Sequence, residues 1–306
     1  MTDAVKKPAR GKIGLSSGDM IFTVVNYMLL TLVLLLVLYP LVYVVSSSFS
    51  APAAVTSGRV WLYPVDVTLV GYQTALKHSQ IGPSFLNAIV ITVVGTFINV
   101  MCTIMAAYPL ARKTFFGRGA LTVFFTFTML FNGGLIPTFL IVRQFGLYNT
   151  YFALWLPGAL SVYNMVVART FFQSTIPDEL YEAAELDGSS DLTFLVRIAI
   201  PLSMPIIAVL VMFYAVGHWN SFFSAMIYLK DSSKYPLQNV LREILIANRM
   251  DDDRMMQDAD VMLRKQGLAD LLRYSLIVIS TAPMMLVYPF VQKHFVKGVM
   301  IGALKG

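Results

Sequence analysis

Charged side chains are scarce in this chain, and six long stretches lack them entirely. No Asp, Glu, Lys or Arg occurs between Asp19 and Arg59, Lys77 and Arg112, Arg118 and Arg143, Arg143 and Arg169, Arg197 and Lys230, or Arg273 and Lys293. Of 306 residues only 13% are charged and 57% are hydrophobic, against roughly 25% charged in a soluble domain. A soluble globular domain is thereby excluded. The apolar runs do not alternate, which excludes a transmembrane strand barrel. Cysteine is almost absent: Cys102 is the only one. It can form no intrachain disulfide and no cysteine metal site, and it suits a small packing position. No GxxxxGK[ST] phosphate loop is present, so the chain is not expected to be its own ATPase. No acid lies within any of the apolar runs, so His218 has no carboxylate there to complete a proton relay. Internal repeats and low-complexity segments are also missing, and no metal site is indicated.

What is present points to the bilayer. Each uncharged run can hold the roughly 20 apolar residues that cross hydrocarbon as a helix. Helices are forced there, because the backbone finds no water to bond. The sequence predicts an all-α membrane protein with six transmembrane helices over about 21–46, 85–108, 119–142, 151–172, 203–229 and 272–292. They form one transmembrane domain, 20–306, behind a basic tail, 1–19. The first span is the most uniformly apolar and is expected to face lipid. The third is interrupted by Asn132-Gly133-Gly134 and Pro137. Such residues weaken a helix and remove a backbone donor. That span is therefore expected to end near Phe131, with a short re-entrant helix from about Ile136 to Phe145. Short helices are also expected at 68–77 and 237–246, in the outer loops 47–84 and 230–269.

The net charge of +6 flanks the spans and so fits membrane lipid, not nucleic acid. Lys6, Lys7, Arg10 and Lys12, then Arg112, Lys113 and Arg118, then Arg169 and Arg197, and finally Lys293, Lys297 and Lys305 fall on one face. By the positive-inside rule that face is cytoplasmic, with both termini inside. The basic group from Lys230 to Lys265 falls outside, in a long loop that also carries Asp231, Glu243, Asp251, Asp252, Asp253, Asp258 and Asp260. The first apolar run is much longer than a signal-peptide core, which predicts an uncleaved first span.

Residues 173–202 form a polar insert between the fourth and fifth spans. Pro177 suits a first helical turn, where Asp178, Glu179 and Glu182 favour the helix dipole. Gly188 suits a left-handed residue just past the helix end. Ser189 or Ser190 can cap a second helix from about Asp191 toward Ile200. Two short helices result. The alanines admit close approach of a partner, and the acids offer charge-assisted bonds to its Arg or Lys. An ordinary solvated loop is the plainer reading of the same chemistry.

The spacing Glu182-Ala183-Ala184, three residues, Gly188, nine residues, Ile198, one residue, Ile200-Pro201 resembles the EAA loop of binding-protein-dependent ABC importers. Ile200 departs from the usual leucine, conservatively. Ile176-Pro177-Asp178-Glu179-Leu180-Tyr181 and the ending Val296-Lys297-Gly298-Val299-Met300-Ile301-Gly302 resemble the carbohydrate branch, similar to the maltose-transporter G subunit. Asn132-Gly133-Gly134-Leu135-Ile136-Pro137-Thr138 resembles its oligosaccharide and polysaccharide-fragment subgroup. The resemblance implies a type I importer permease with a coupling helix at 177–188, in a bacterial plasma membrane. It also implies a second homologous permease, an ATPase dimer holding ATP and Mg2+, and an extracytoplasmic sugar-binding protein. Glu182, Ala183, Ala184, Glu185, Asp187 and Gly188 would be the ATPase-coupling residues.

Sugars are held by aromatic faces, amides and hydroxyls. Tyr163 and Asn164 in the fourth span, with Tyr214, His218, Trp219 and Asn220 in the fifth, supply that chemistry at membrane depth. They are candidates for the substrate pathway, and helix–helix hydrogen bonding or an interfacial aromatic belt is the competing role. A solitary secondary transporter or channel would call for intramembrane ionisable residues or paired halves. A membrane enzyme would call for a carboxylate or metal cluster, for which Asp251-Asp252-Asp253 is the only candidate.

Overall fold

The computed structural model describes residues 16–252 and 259–303, with the backbone alone for 247–252, 259–266 and 290–303. Lys6, Lys7, Arg10, Lys12, Asp253, Asp258 and Lys305 lie outside the described residues. Among the described residues the elements are helices.

Helix α1 (Ser17–Ser48) starts at a capping box, in which the Ser16 N–H donates to Asp19 Oδ2 at 3.2 Å. It is exposed from Val24 to Leu41. Only its far end, Ser46 to Ser48, is buried. Short helices α2 (Pro52–Thr56) and α3 (Val70–Lys77) follow. The intervening loop is stitched back to α1: Ser46 Oγ donates to the Leu62 carbonyl at 2.7 Å, and Ser50 Oγ accepts the Val65 N–H at 3.0 Å.

Helix α4 (Ile81–Ala111) is the central pillar. Its small residues Ala88, Gly95 and Ala107 are buried and allow neighbouring helices to approach closely. Beyond it the chain breaks where glycine and proline occur. Helices α5 (Arg118–Leu130) and α6 (Leu135–Gln144) meet at 113°. Gly134 takes φ +85°, and Asn132 Oδ1 accepts its N–H at 2.8 Å. The third run is thus no straight span over 119–142: thirteen residues rise only about 20 Å, short of the bilayer core.

The fourth run departs further from expectation. Instead of one helix over 151–172, α7 (Phe152–Trp155) and α8 (Val162–Thr175) flank a non-helical segment, 156–161. Pro157 offers no N–H and Gly158 has weak helix propensity. Helices α9 (Asp178–Leu186) and α10 (Asp191–Phe194) make up the polar insert. A π-turn over Leu195–Ala199 and α11 (Ile200–Leu202) then lead to an 82° bend at Ser203. Helix α12 (Met204–Trp219) ends before α13 (Phe223–Tyr228), so the fifth run is also two helices. Helices α14 (Leu237–Asp252) and α15 (Ala259–Ala303) complete the order. Within α15 the apolar part is 267–289, around the sixth predicted span.

Helix α4 packs against α8 and α12, while α15 packs against α1, α2, α3 and α12. Met165, Ala168, Leu210 and Phe194 are fully buried between α4, α8, α12 and the polar insert. Gly71 is where α3 meets α15: a Cβ there would overlap Ser275 Oγ and stand 2.9 Å from Leu271 Cγ. Gly71→Ala should therefore destabilise the protein by about 1–3 kcal/mol through overpacking. Thermal unfolding in detergent should show this, and Ser275→Ala should recover part of the loss. An unchanged melting point for Gly71→Ala would contradict the close packing.

Candidate functional site

Two polar regions stand out: the α9 insert at one end of the bundle, and a ladder of side chains between α4 and α12.

Helix α9 is closed at both ends by local chemistry. Pro177 is its N-cap, one position earlier than a first-turn proline, and Asp178 and Glu179 occupy the first turn. At the far end Gly188 takes φ +77°. Its N–H donates to the Glu185 carbonyl at 3.0 Å, and the Ser189 N–H reaches Ala184 at 2.9 Å. This is a Schellman stop. Ser190 then caps α10, its Oγ accepting the Thr193 N–H at 3.3 Å.

The two faces of α9 differ. Ala184 is buried in a cluster with Tyr108, Phe172, Ile176 and Phe194. It therefore packs inside its own chain, whereas both alanines were expected to meet a partner. Glu182, Ala183, Glu185, Asp187 and Gly188 are exposed. So is Leu186, at 90%, an apolar tip that the sequence pattern does not single out.

The inner side of α9 is fastened to the loop between α4 and α5. Lys113 Nζ lies 2.8 Å from Asp178 Oδ2, and the Arg112 guanidinium stands 3.1 Å above the Tyr181 ring. The Tyr181 hydroxyl donates to the Asp191 carboxylate, and its ring meets Phe194 edge-on at 5.2 Å. The hydrogen bond to Asp191 raises the Tyr181 pKa. The Lys113–Asp178 hydrogen bond raises the lysine pKa and lowers that of the aspartate. Asp178 thus favours the fastened state above the ordinary carboxylate range, and loses that effect as pH falls through its lowered pKa. Lys113 contributes below the ordinary lysine range and loses it as pH rises through its raised pKa. Both groups face solvent, so salt screens the pair. Beside it lies a cavity of about 560 Å³ lined by Arg112, Lys113, Arg118, Gln173 and Pro177. Sequence reading used these cations only for orientation. The available signal was a basic turn facing an acidic helix start.

The intramembrane candidates divide by environment. Tyr214 and Trp219 are buried, and His218 is half-buried. Trp219 Nε1 donates to the Ser280 carbonyl at 2.8 Å, tying α12 to α15. Tyr214 Oη lies 2.7 Å from Thr103 Oγ1, and His218 Nε2 lies 2.6 Å from Asn99 Oδ1. Asn164 is buried at the start of α8. Tyr163 is 58% exposed, and Asn220 is exposed with its amide donated back to the Val216 carbonyl at 3.0 Å. Leu156, Pro157 and Gly158 are exposed beside Tyr163. Asn99 was missed because an amide in the second run carries no distinguishing sequence pattern. Among the described residues, no group of three or more His, Cys, Asp or Glu could hold a metal ion.

Both regions lie within a stretch that known proteins share. Residues 99–301 match the family described as binding-protein-dependent transport system inner membrane component. Protein LplC of Bacillus subtilis strain 168 is 41% identical over 290 residues, covering 94% of this chain and 95% of the relative. The polygalacturonan/rhamnogalacturonan transport system permease protein YtcP of the same organism is 38% identical, covering 94% and 99%. A crystal structure of a bacterial ABC transporter involved in import of the acidic polysaccharide alginate contains a chain similar to this one. It matches with a TM-score of 0.81 and 35% identity, over 92% of this chain and 98% of that one. ABC importers of this kind work with a partner permease, an ATPase and a substrate-binding protein, and ATP hydrolysis belongs to the separate ATPase subunit. By family match, relatives and fold alike, the chain belongs to the binding-protein-dependent transport system inner membrane components, the multi-pass membrane permeases of ABC importers.

Proposed function

We propose that this permease forms half of the translocation pathway in an ATP-driven importer of oligosaccharides or polysaccharide fragments, and that α9 is its coupling helix. One observation carries the reading. Helix α9 is rooted on its inner side by Ala184, Lys113–Asp178 and Arg112–Tyr181, while its outer side is an unpartnered ridge of Glu182, Ala183, Glu185, Leu186 and Asp187. A solvated connector has no need of such a root. In this reading Leu186 enters an apolar cleft of the ATPase and Glu182 pairs with one of its cations. Gly188 makes the turn that aims α10.

The α9 end is cytoplasmic, with both termini on that side of a bacterial plasma membrane. The ATPase dimer holds ATP and Mg2+, a second homologous permease completes the pathway, and an extracytoplasmic sugar-binding protein delivers the cargo. The cargo class rests on the relatives named for polygalacturonan, rhamnogalacturonan and alginate. In this reading exposed Leu156–Gly158 and Tyr163 form the pathway wall. Irregular backbone at membrane depth is tolerated where it lines a wet cavity or is covered by protein. Asn164 follows this wall at the start of α8, Tyr214 attaches to it at Ser161 and His218 reaches it through Asn99, whereas Trp219 ties α12 to α15.

Coupling is tested in proteoliposomes holding the whole transporter and its binding protein. Glu182→Ala removes one charge-assisted bond, worth about 1.5–3 kcal/mol, so ATPase affinity should fall roughly 10–100-fold. In Gly188→Val the new Cβ meets nothing within 4 Å. Its cost is left-handed backbone strain, above the usual ~1–2 kcal/mol because valine is β-branched. Both variants should reach the membrane with the partner permease yet import little sugar per ATP hydrolysed. Normal uptake by both would refute the coupling role.

Composition of the complex is a separate check. Affinity purification of this chain from its native membrane should recover a second permease and an ATPase in stoichiometric amounts. Recovery of this chain alone, still transporting, would favour a solitary transporter.

A further inference from the structure

Gly95, Asn99 and Thr103 follow one another at one-turn intervals along α4, and Tyr214 and His218 do so along α12. Side chains four residues apart share a helix face. The two faces meet as two rungs: His218 Nε2 with Asn99 Oδ1 at 2.6 Å, and Tyr214 Oη with Thr103 Oγ1 at 2.7 Å. Each rung continues to the non-helical segment between α7 and α8. Asn99 Nδ2 donates to the Gly158 carbonyl at 2.6 Å, and the Ser161 N–H donates to Tyr214 Oη at 3.3 Å. Just before the break, Trp155 Nε1 donates to the Ile91 carbonyl of α4 at 3.1 Å.

The chemistry fixes the direction of the first rung. A carbonyl only accepts, so the Asn99 amide nitrogen faces Gly158 and its oxygen faces His218. His218 therefore bears its hydrogen on Nε2. Gly95 makes room for the ring: a Cβ there would lie 2.5, 2.7 and 2.9 Å from three of its atoms. The arrangement does more than pack two helices. Asn99 satisfies a carbonyl that the break at Pro157 leaves without a helical partner, and it does so while holding α12.

We infer that Asn99 and His218 are positioning residues for transport. They lock the unwound 156–161 segment to α12, so that this wall of the pathway moves with α12. The inference rests on the reading of α9 as coupling helix. Movement of α9 reaches α12 along the chain itself, through α10, the π-turn, α11 and the Ser203 bend. The rung carries it across to Gly158, a step with no short covalent route. Thr103 and Tyr214 provide a second attachment at Ser161, so loss of the first rung frees Gly158 without unfolding the break.

The experiment needs no identified cargo. In the complete transporter, with Cys102→Ala, spin labels are placed at Leu156→Cys and at Val216→Cys on the exposed side of α12. A second pair joins Leu156→Cys to Val123→Cys on α5. Distances are compared between the nucleotide-free state and the ADP–vanadate-trapped state. In the otherwise unaltered protein the 156–216 distance should stay constant, while the 156–123 distance shifts by about 2 Å or more, the scale of helix movement in switching proteins. In Asn99→Leu the 156–216 distribution should broaden and become state-dependent. Gly95→Ala, which displaces the His218 ring and leaves Asn99 in place, should do the same. His218→Gln, which keeps an N–H donor, should retain the constant distance where His218→Leu does not. A merely structural rung would lower the melting point and leave these distances alone. Unchanged 156–216 distances in both Asn99→Leu and Gly95→Ala would overturn the inference. If no distance changes on trapping even without these substitutions, the coupling-helix reading fails first, and the two failures are distinguishable.

Discussion

Every backbone N–H and carbonyl placed in hydrocarbon must find a partner within the protein. That constraint organises this permease. Helices α1 and α4 meet it internally, and α1 therefore needs no backbone partner from the rest of the chain over its exposed length. Helices broken at Asn132–Gly134, at Leu156–Ser161 and at Ser203 cannot. At the first two a side chain serves the freed groups, while at Ser203 the backbone N–H donates to the Ala199 and Ile200 carbonyls. Asn132 Oδ1 accepts the Gly134 N–H, Asn99 serves the Gly158 carbonyl, and Tyr214 accepts from Ser161. Asn99, Asn132 and Tyr214 are thus explained at least in part by the irregular backbone beside them.

The same rule explains how much was legible in the sequence. The uncharged runs show where the chain lies in a bilayer, because a missing charge is a local property. The interruption near Phe131 was also legible, since Asn-Gly-Gly followed by proline announces itself. The break at Pro157 was not, although proline and glycine are adjacent there as well. A proline in a membrane helix is often carried through with its backbone re-satisfied by neighbours, as at Pro40 in α1, Pro109 in α4 and Pro283 in α15. What separates the break at Pro157 from these is that the next carbonyl, Gly158, has a side-chain partner 59 residues away, Asn99. No local pattern encodes that distance. His218, conspicuous as an intramembrane histidine, was in view, while the asparagine that gives it a role was not.

Helix α9 shows a complementary division. Its boundaries are nearly all local chemistry: a proline start, acids in the first turn, a glycine stop and a serine cap for the next helix. These could be read from the sequence almost residue by residue. Which alanine faces inward could not, because it depends on the cluster of Tyr108, Phe172 and Phe194 that tertiary packing assembles. Ala184 must be small for that reason, whereas Ala183 is small on the open side. Adjacent identical residues therefore answer to different constraints.

Rooting α9 has a mechanical consequence. A helix tethered only by its flanking chain would absorb a push from an ATPase by tilting. Here the root includes Lys113 and Arg112 of the α4–α5 loop as well as the packed Ala184. An applied force is then shared between α4, reached through that loop, and α12, reached through α10 and the Ser203 bend. Those are the two helices that the Asn99–His218 and Thr103–Tyr214 rungs hold together. The surface ion pair alone is too weak and too easily screened to bear such a load. The buried alanine and the arginine stacked on Tyr181 add packing contacts that salt does not screen. If α9 is the coupling helix, force entering at that end of the bundle meets a braced frame of α4 and α12, and the unwound segment gripped by this frame is carried with it.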